Sequence, residues 1–290
     1  MPTLGEKLRS ARIGLGMTQK ELAGESVTRT LLSQIENGKA LPSVQTVCYL
    51  AARLGIPVGY FLSEGEEAER YLRFGHAEKA NETYLAGDYT AAIREAKLLP
   101  EGDQDRTRLL CASFYRLGWE KLTLGSLKSA KGFFLQCQQA AAKSPFPSPF
   151  SRPASLCLDY IRRLTDPESK KPPTPLFSDP EKDLVRITLT MKIRELCEDG
   201  QTAAARELMK RTEKLLPEEK NYLEAILAGK EGEPAELIAK CEQIQKQAIP
   251  VPARALLCAA EESAAVLTGD FHTAYRCASK RQKLEKNYPN

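Results

Sequence analysis

Eight cysteines and two histidines, His76 and His272, are the side chains best suited to nucleophilic, redox or metal chemistry. Their spacing organises none of it. Cys48, Cys111, Cys137, Cys157, Cys197, Cys241, Cys258 and Cys277 lie far apart and form no CxxC. That scattering argues against a zinc site or a compact disulfide framework. Their neighbours are mostly apolar, as in Leu109-Leu110-Cys111-Ala112, which reads as small core residues of a reduced cytoplasm. No HExxH, GxSxG, GxGxxG or phosphate-binding GxxxxGK occurs. Carboxylates are plentiful but sit in solvated helical patterns, and no motif marks a pair. The expectation is a chain that is not an enzyme and holds no metal and no cofactor.

What the chain does instead must come from the elements it builds. Its 290 residues allow about two domains. Apolar residues make up 42%, enough for a core and too many for a disordered chain. No apolar run exceeds the length of Ala255 to Ala260, far below the ~20 residues of a membrane span. The N-terminus lacks the apolar stretch of a signal peptide, so the expected location is the cytoplasm. Residues 1–63 hold seven Lys/Arg against four Asp/Glu, whereas the remainder is nearly balanced at 35 against 34. The polar stretch Ser63-Glu64-Gly65-Glu66-Glu67 marks the boundary between domains 1–63 and 64–290.

Periodicity near 3.6 predominates and strand signals are weak, which predicts an all-α protein. Thr3 with Glu6 and Thr18 with Glu21 are capping boxes opening two helices. Leu4, Leu8, Ala11 and Leu15 mark the inner face of the first. Thr28 caps a third helix with Leu32 and Ile35 inward and Gly38 as its stop. Pro42-Ser43 opens a fourth, carrying Val44, Val47, Cys48, Ala51 and Leu54; Pro57 opens a last turn with Phe61 and Leu62.

Two short helices joined by a turn, the second ending in Ile35-Glu36-Asn37-Gly38, follow the pattern of a DNA-binding helix-turn-helix. Gly16-Met17-Thr18-Gln19-Lys20-Glu21-Leu22-Ala23, Leu32 to Lys39, Pro42-Ser43 and Leu50 to Pro57 together resemble the Xre/Cro phage-repressor domain. The turn between Ala23 and Ile35 is one residue shorter than in most of that family. In this it resembles the PlcR and Rgg peptide-responsive regulators. The resemblance implies a five-helix lambda-repressor-like domain binding double-stranded DNA as a homodimer on a palindromic operator.

It also implies residue roles. Thr28, Arg29, Thr30, Ser33 and Gln34 take base or groove contacts. Arg29 suits guanine and Gln34 suits adenine, with phosphate the alternative for either. Gln19 and Lys39 hold the phosphate backbone. Arg12 and Glu36 occupy positions that form a partly buried structural pair.

The remaining residues repeat. Gly87, Gly125, Gly200 and Gly269 each carry an apolar residue three before (Tyr84, Leu122, Cys197, Val266) and an alanine five after (Ala92, Ala130, Ala205, Ala274). Gly229 fits with one extra residue, at Ala235. A small residue just inside a second helix lets paired helices approach closely, so each unit reads as a helical hairpin in a stack. Leu85 to Tyr89 and Thr268 to Phe271 are similar to the turn of tetratricopeptide repeats. The usual 34-residue period and the early Trp are absent. The expected fold is a tetratricopeptide-like superhelix that dimerises and senses a ligand. Pro-rich stretches 144–153 and 171–180 bracket one helix, about Ala154 to Leu164, as surface loops or a hinge. No ligand motif is legible; Tyr84, Tyr115, Trp119 and Tyr222 line a groove or fill the core, and asparagine amides are scarce there. The resemblance implies a short signalling peptide; the other reading is a protein-docking scaffold.

Overall fold

In the computed structural model, residues 2–165, 173–212, 215–247 and 249–286 are described. Among them there are sixteen α-helices and no strand. The chain divides into two compact units, Met1–Leu109 and Leu110–Asn290.

The first unit begins with α1 (Leu4–Gly14), α2 (Gln19–Ala23), α3 (Arg29–Glu36), α4 (Val44–Leu54) and α5 (Val58–Leu62). Both capping boxes form, and Thr28 and Ser43 cap α3 and α4 through their hydroxyls. Leu8, Leu22, Leu32, Ile35, Val47, Leu50 and Phe61 make one core. Leu15, Val44 and Cys48 do not join it; all three are exposed. α1 turns Gly5 and Leu8 inward and ends before Leu15, so the apolar stripe outruns the helix that would bury it.

The same unit includes α6 (Gly65–Leu85) and α7 (Tyr89–Ala96). α6 lies against α5 at two glycines. A Cβ on Gly59 would stand 2.5 Å from the Tyr71 ring, and one on Gly75 would stand 2.6 Å from Pro57. Buried Lys7 donates to the carbonyls of Tyr60 and Ser63, binding α1 to the C-terminal end of α5, where helix carbonyls are otherwise unpaired. The first helical hairpin is thus seated on the five short helices.

The second unit holds most of α8 (Gln104–Thr123), then α9 (Leu127–Ala142), α10 (Ser151–Thr165), α11 (Pro180–Glu198), α12 (Thr202–Arg211), α13 (Pro217–Glu231), α14 (Pro234–Gln245), α15 (Val251–Thr268) and α16 (Phe271–Glu285). Gly87, Gly125, Gly200 and Gly269 each end a helix at positive φ. At each, the residue after the glycine donates back to a carbonyl five residues earlier, as Asp88 N–H does to Thr83 and Asp270 N–H to Ala265.

The fifth turn differs from the sequence expectation. It is Gly232, at φ 90°, not Gly229, which lies inside α13. In this hairpin the large and small positions are exchanged. Leu237 stands where the others have alanine, and Gly229 stands where they have a larger residue. A Cβ on Gly229 would be 2.7 Å from Leu237 Cδ1. The glycine makes room for the leucine, so the helices still pack closely.

The two Pro-rich stretches also part ways. Residues 144–149 form a largely exposed connection ending at buried Phe150. Residues 173–177 are instead buried, so the surface-loop reading fails there; positions 171 and 172 lie outside the described residues. Proline has no N–H, and Pro173 and Pro175 therefore leave fewer donors to satisfy in buried irregular backbone. Thr174 Oγ1 accepts from Arg194 at 3.2 Å.

This segment runs into Asp179, which caps α11. Tyr115, fully buried, donates its hydroxyl to Asp179 Oδ1 at 2.6 Å and accepts from Glu181 N–H at 3.1 Å. Burial pushes the Tyr115 hydroxyl far up, keeping it a donor. Tyr115→Phe should lower the stability of this unit by about 1–3 kcal/mol, the cost of stranding buried partners. Urea unfolding indistinguishable from the parent would show that Arg116, 2.6 Å from Asp179, satisfies the carboxylate alone.

Tyr222 is also buried, whereas Tyr84 and Trp119 are half-buried. Seven cysteines are buried and Cys48 is exposed; all are free thiols. No described helix is long and apolar enough to cross a membrane.

Candidate nucleic-acid interface

The α2–turn–α3 segment is clamped from two sides. α2 ends at Gly24, at φ 58°, where a Cβ would lie 2.4 Å from Tyr49 Oη. Tyr49 donates to the Ala23 carbonyl at 3.1 Å, and Arg53 Nη2 to the Glu21 carbonyl at 2.6 Å. Two side chains of α4 thereby satisfy the carbonyl end of α2, and Val27 buries the turn. On the other side, Gly5 brings α1 so close to α3 that a Cβ would stand 2.2 Å from the Ile35 carbonyl oxygen.

Under α3 sits an ion pair. Arg12 Nε donates to Glu36 Oε1 at 2.7 Å and Nη2 to Oε2 at 3.0 Å; Nη1 donates to the Met17 carbonyl at 2.9 Å. The side chains are 12% and 2% exposed. Gln19 Nε2 also donates to Glu36 Oε2, at 2.9 Å. Burial pushes the Glu36 carboxyl up, but hydrogen bonds from Arg12 and Gln19 and the guanidinium charge outweigh it and hold it below the usual carboxylate range. The same contact holds Arg12 above its ordinary value. One carboxylate thus ties α1, α2 and α3 together.

With Leu32 and Ile35 inward, α3 presents Arg29, Thr30 and Gln34 to solvent, with Ser33 half-buried beside them. Positions 29, 30, 33 and 34 fall on one helical face. The side chains of Arg29, Thr30, Gln34 and Lys39 make no hydrogen bond or ion pair with any described residue. Thr28 is committed to Leu31 N–H as the cap. Ser33 lies within reach of Asn37, whose Nδ2 donates to the Ser33 carbonyl at 2.7 Å. Gln19 is half-buried with one amide hydrogen on Glu36, and it stands beside the open backbone N–H groups that begin α2.

The residues that sequence reasoning missed are those doing the clamping: Gly5, Lys7, Tyr49 and Arg53. A glycine inside the first turn of α1 was a signal, since glycine costs helix stability unless something needs the space.

A rigid short helix set in front of a capped partner, with an unpaired row of donors facing outward, defines a DNA-binding helix-turn-helix domain. Residues 8–61 match the family model described as helix-turn-helix. The fold and this match support a DNA-binding transcription regulator. No curated protein matches the chain. Two solved structures are similar to it at low identity. One is Bacillus thuringiensis PlcR in complex with the peptide PapR7 and DNA, at 14% identity over 99% of this chain and 96% of that chain, with a TM-score of 0.23. The other is a bacterial peptide pheromone/receptor complex, at 11% identity over 95% and 99%, with a TM-score of 0.26.

Proposed function

We propose that the chain is a homodimeric regulator in which residues 1–63 read a palindromic operator and residues 64–290 form a dimerising, effector-sensing array. The observation that carries the first half is the outward row Arg29, Thr30, Ser33 and Gln34, set on a helix that Glu36 fixes from beneath. Arg29 and Gln34 read base edges, and Lys39 and Gln19 at the start of α2 hold phosphates. The favoured effector is a short signalling peptide. The seating of α6 on α5 supports coupling, because the first hairpin of the array and the DNA-reading helices share one compact unit.

A second reading, in which the array docks a protein, is supported by the exposed apolar residues Val266, Leu267, Phe271 and Tyr275 around the α15–α16 turn. Titration of operator binding with candidate peptides separates the two. A peptide effector changes DNA affinity by a factor of about 5–150. If none does, the docking reading stands.

Selection from random duplexes should enrich palindromes with half-sites about 34 Å apart or at multiples of one helical turn. Against the selected site, Arg29→Ala should cost about 1–3 kcal/mol and relax preference at one base position, while Lys39→Ala should weaken all sequences alike and flatten the salt dependence. The same sequence-independent loss in both variants would remove Arg29 from base readout.

A further inference from the structure

Between α14, α15 and α16 lies a hollow of about 670 Å³, a size suited to a small ligand. Among the described residues five cations line it, Lys246, Arg254, Arg276, Lys280 and Lys283, against one carboxylate, Glu242. On α16, residues 276, 280 and 283 share one face.

Elsewhere in these helices cations are matched. Lys240 reaches Glu224 and Glu236, and Arg281 reaches Glu262 and Glu285. In the hollow, Arg276 pairs with Glu242, but Lys246, Lys280 and Lys283 make no ion pair with any described residue. Unpaired like charges around one cavity repel, and an anion placed among them relieves that repulsion.

A second carboxylate is buried behind this lining. Glu261, fully buried, accepts from Gln245 Nε2 at 2.6 Å and lies 3.5 Å from Arg276 Nη2. Gln245 Oε1 in turn accepts from the Cys258 thiol at 3.5 Å. The carboxamide lining the hollow is therefore held in one orientation, bonded through both its nitrogen and its oxygen. Among the described residues no aromatic ring lines the hollow to stack a base. Charge is what the described lining chiefly offers a ligand.

We propose that the α14–α16 hollow binds a small, multiply charged anion bearing phosphate or clustered carboxylate groups. The proposal is independent of the peptide reading, since it concerns binding at this hollow alone. Lys246, Lys280 and Lys283 supply ammonium groups on flexible stems, and Arg276, anchored by Glu242 and Glu261, supplies a guanidinium held in place.

The test is calorimetry on the full chain with sodium pyrophosphate and with citrate, at matched ionic strength. One or both should bind with one site per chain; pyrophosphate alone identifies phosphate chemistry, and citrate alone identifies carboxylate chemistry. K246Q/K283Q, which breaks no ion pair, should weaken binding about tenfold or more while melting like the parent without ligand. If that variant unfolds early, K280Q carries the same comparison. Arg29→Ala should leave binding unchanged, which separates this site from the DNA-binding face. Equal affinity in the parent and the lysine variants, loss of binding in Arg29→Ala, or no binding at millimolar anion would overturn the proposal. So would an acidic peptide that saturates the hollow where neither anion does.

Discussion

Glu36→Ala should lower the stability of the N-terminal unit by about 3 kcal/mol or more, because it leaves the Arg12 guanidinium largely buried without its counter-charge. Gln19 loses its anchor in the same step. Thermal or urea unfolding of the chain, followed alongside operator binding, measures the effect. Replacing both partners by apolar residues, Arg12→Met with Glu36→Leu, should recover much of the loss, since no stranded charge remains. The double-mutant cycle then isolates the pair, and coupling near zero would mean that the three helices are held by packing alone. The pair also contributes to the acid limb of stability. The Glu36 carboxyl titrates lower in the folded state than in the unfolded one. Its contribution is therefore complete above the unfolded value, about 4.3, and is lost as pH falls through the folded one. The Glu36→Ala variant should show a shallower acid dependence than the parent.

Gly5→Ala should destabilise the same unit although alanine is the better helix former. In a helix interior the exchange gains up to about 1 kcal/mol. Here the new Cβ would stand 2.2 Å from the Ile35 carbonyl oxygen and 3.1 Å from that of Glu36. These are backbone atoms, so α1 and α3 must separate, and overpacking of this kind costs about 1–3 kcal/mol. Gly14→Ala, at the other end of the same helix, meets nothing within 4 Å. It should leave melting unchanged or raise it slightly. Opposite signs for one exchange within one helix would locate the effect in the α1–α3 contact. Equal small effects would show that the contact relaxes freely. Because α3 carries Arg29 and Gln34, Gly5→Ala should also weaken operator binding more than its stability loss alone accounts for.

The helix-turn-helix was legible because its signals are local. Thr18 with Glu21, Thr28 and Ser43 announce helix starts through hydrogen bonds that close within three residues, and each closes as read. Alternation of Leu32 and Ile35 with polar neighbours fixes which face of α3 turns outward. The repeat turns were legible for the same reason, since a glycine at positive φ closes hydrogen bonds with its own helix.

Contacts across long separations were not legible. The sequence placed the fifth turn at Gly229 because its spacing resembled the others; only packing shows that Gly229 yields space to Leu237 while Gly232 turns the chain. Prolines at 173 and 175 read as a solvated connection, but missing donors suit buried backbone as well as exposed loops. Gly5, Tyr49 and Arg53 acquire meaning only from what stands opposite them. The gathering of five cations at positions 246 to 283 is likewise invisible in a chain whose charges nearly cancel. Sequence alone determined the short N-terminal helices, the caps of α1 to α4 and the outward face of α3, because those follow from interactions within a few residues. Tertiary structure decided where helices touch and which charges stay unpaired, because both depend on atoms brought together from distant parts of the chain.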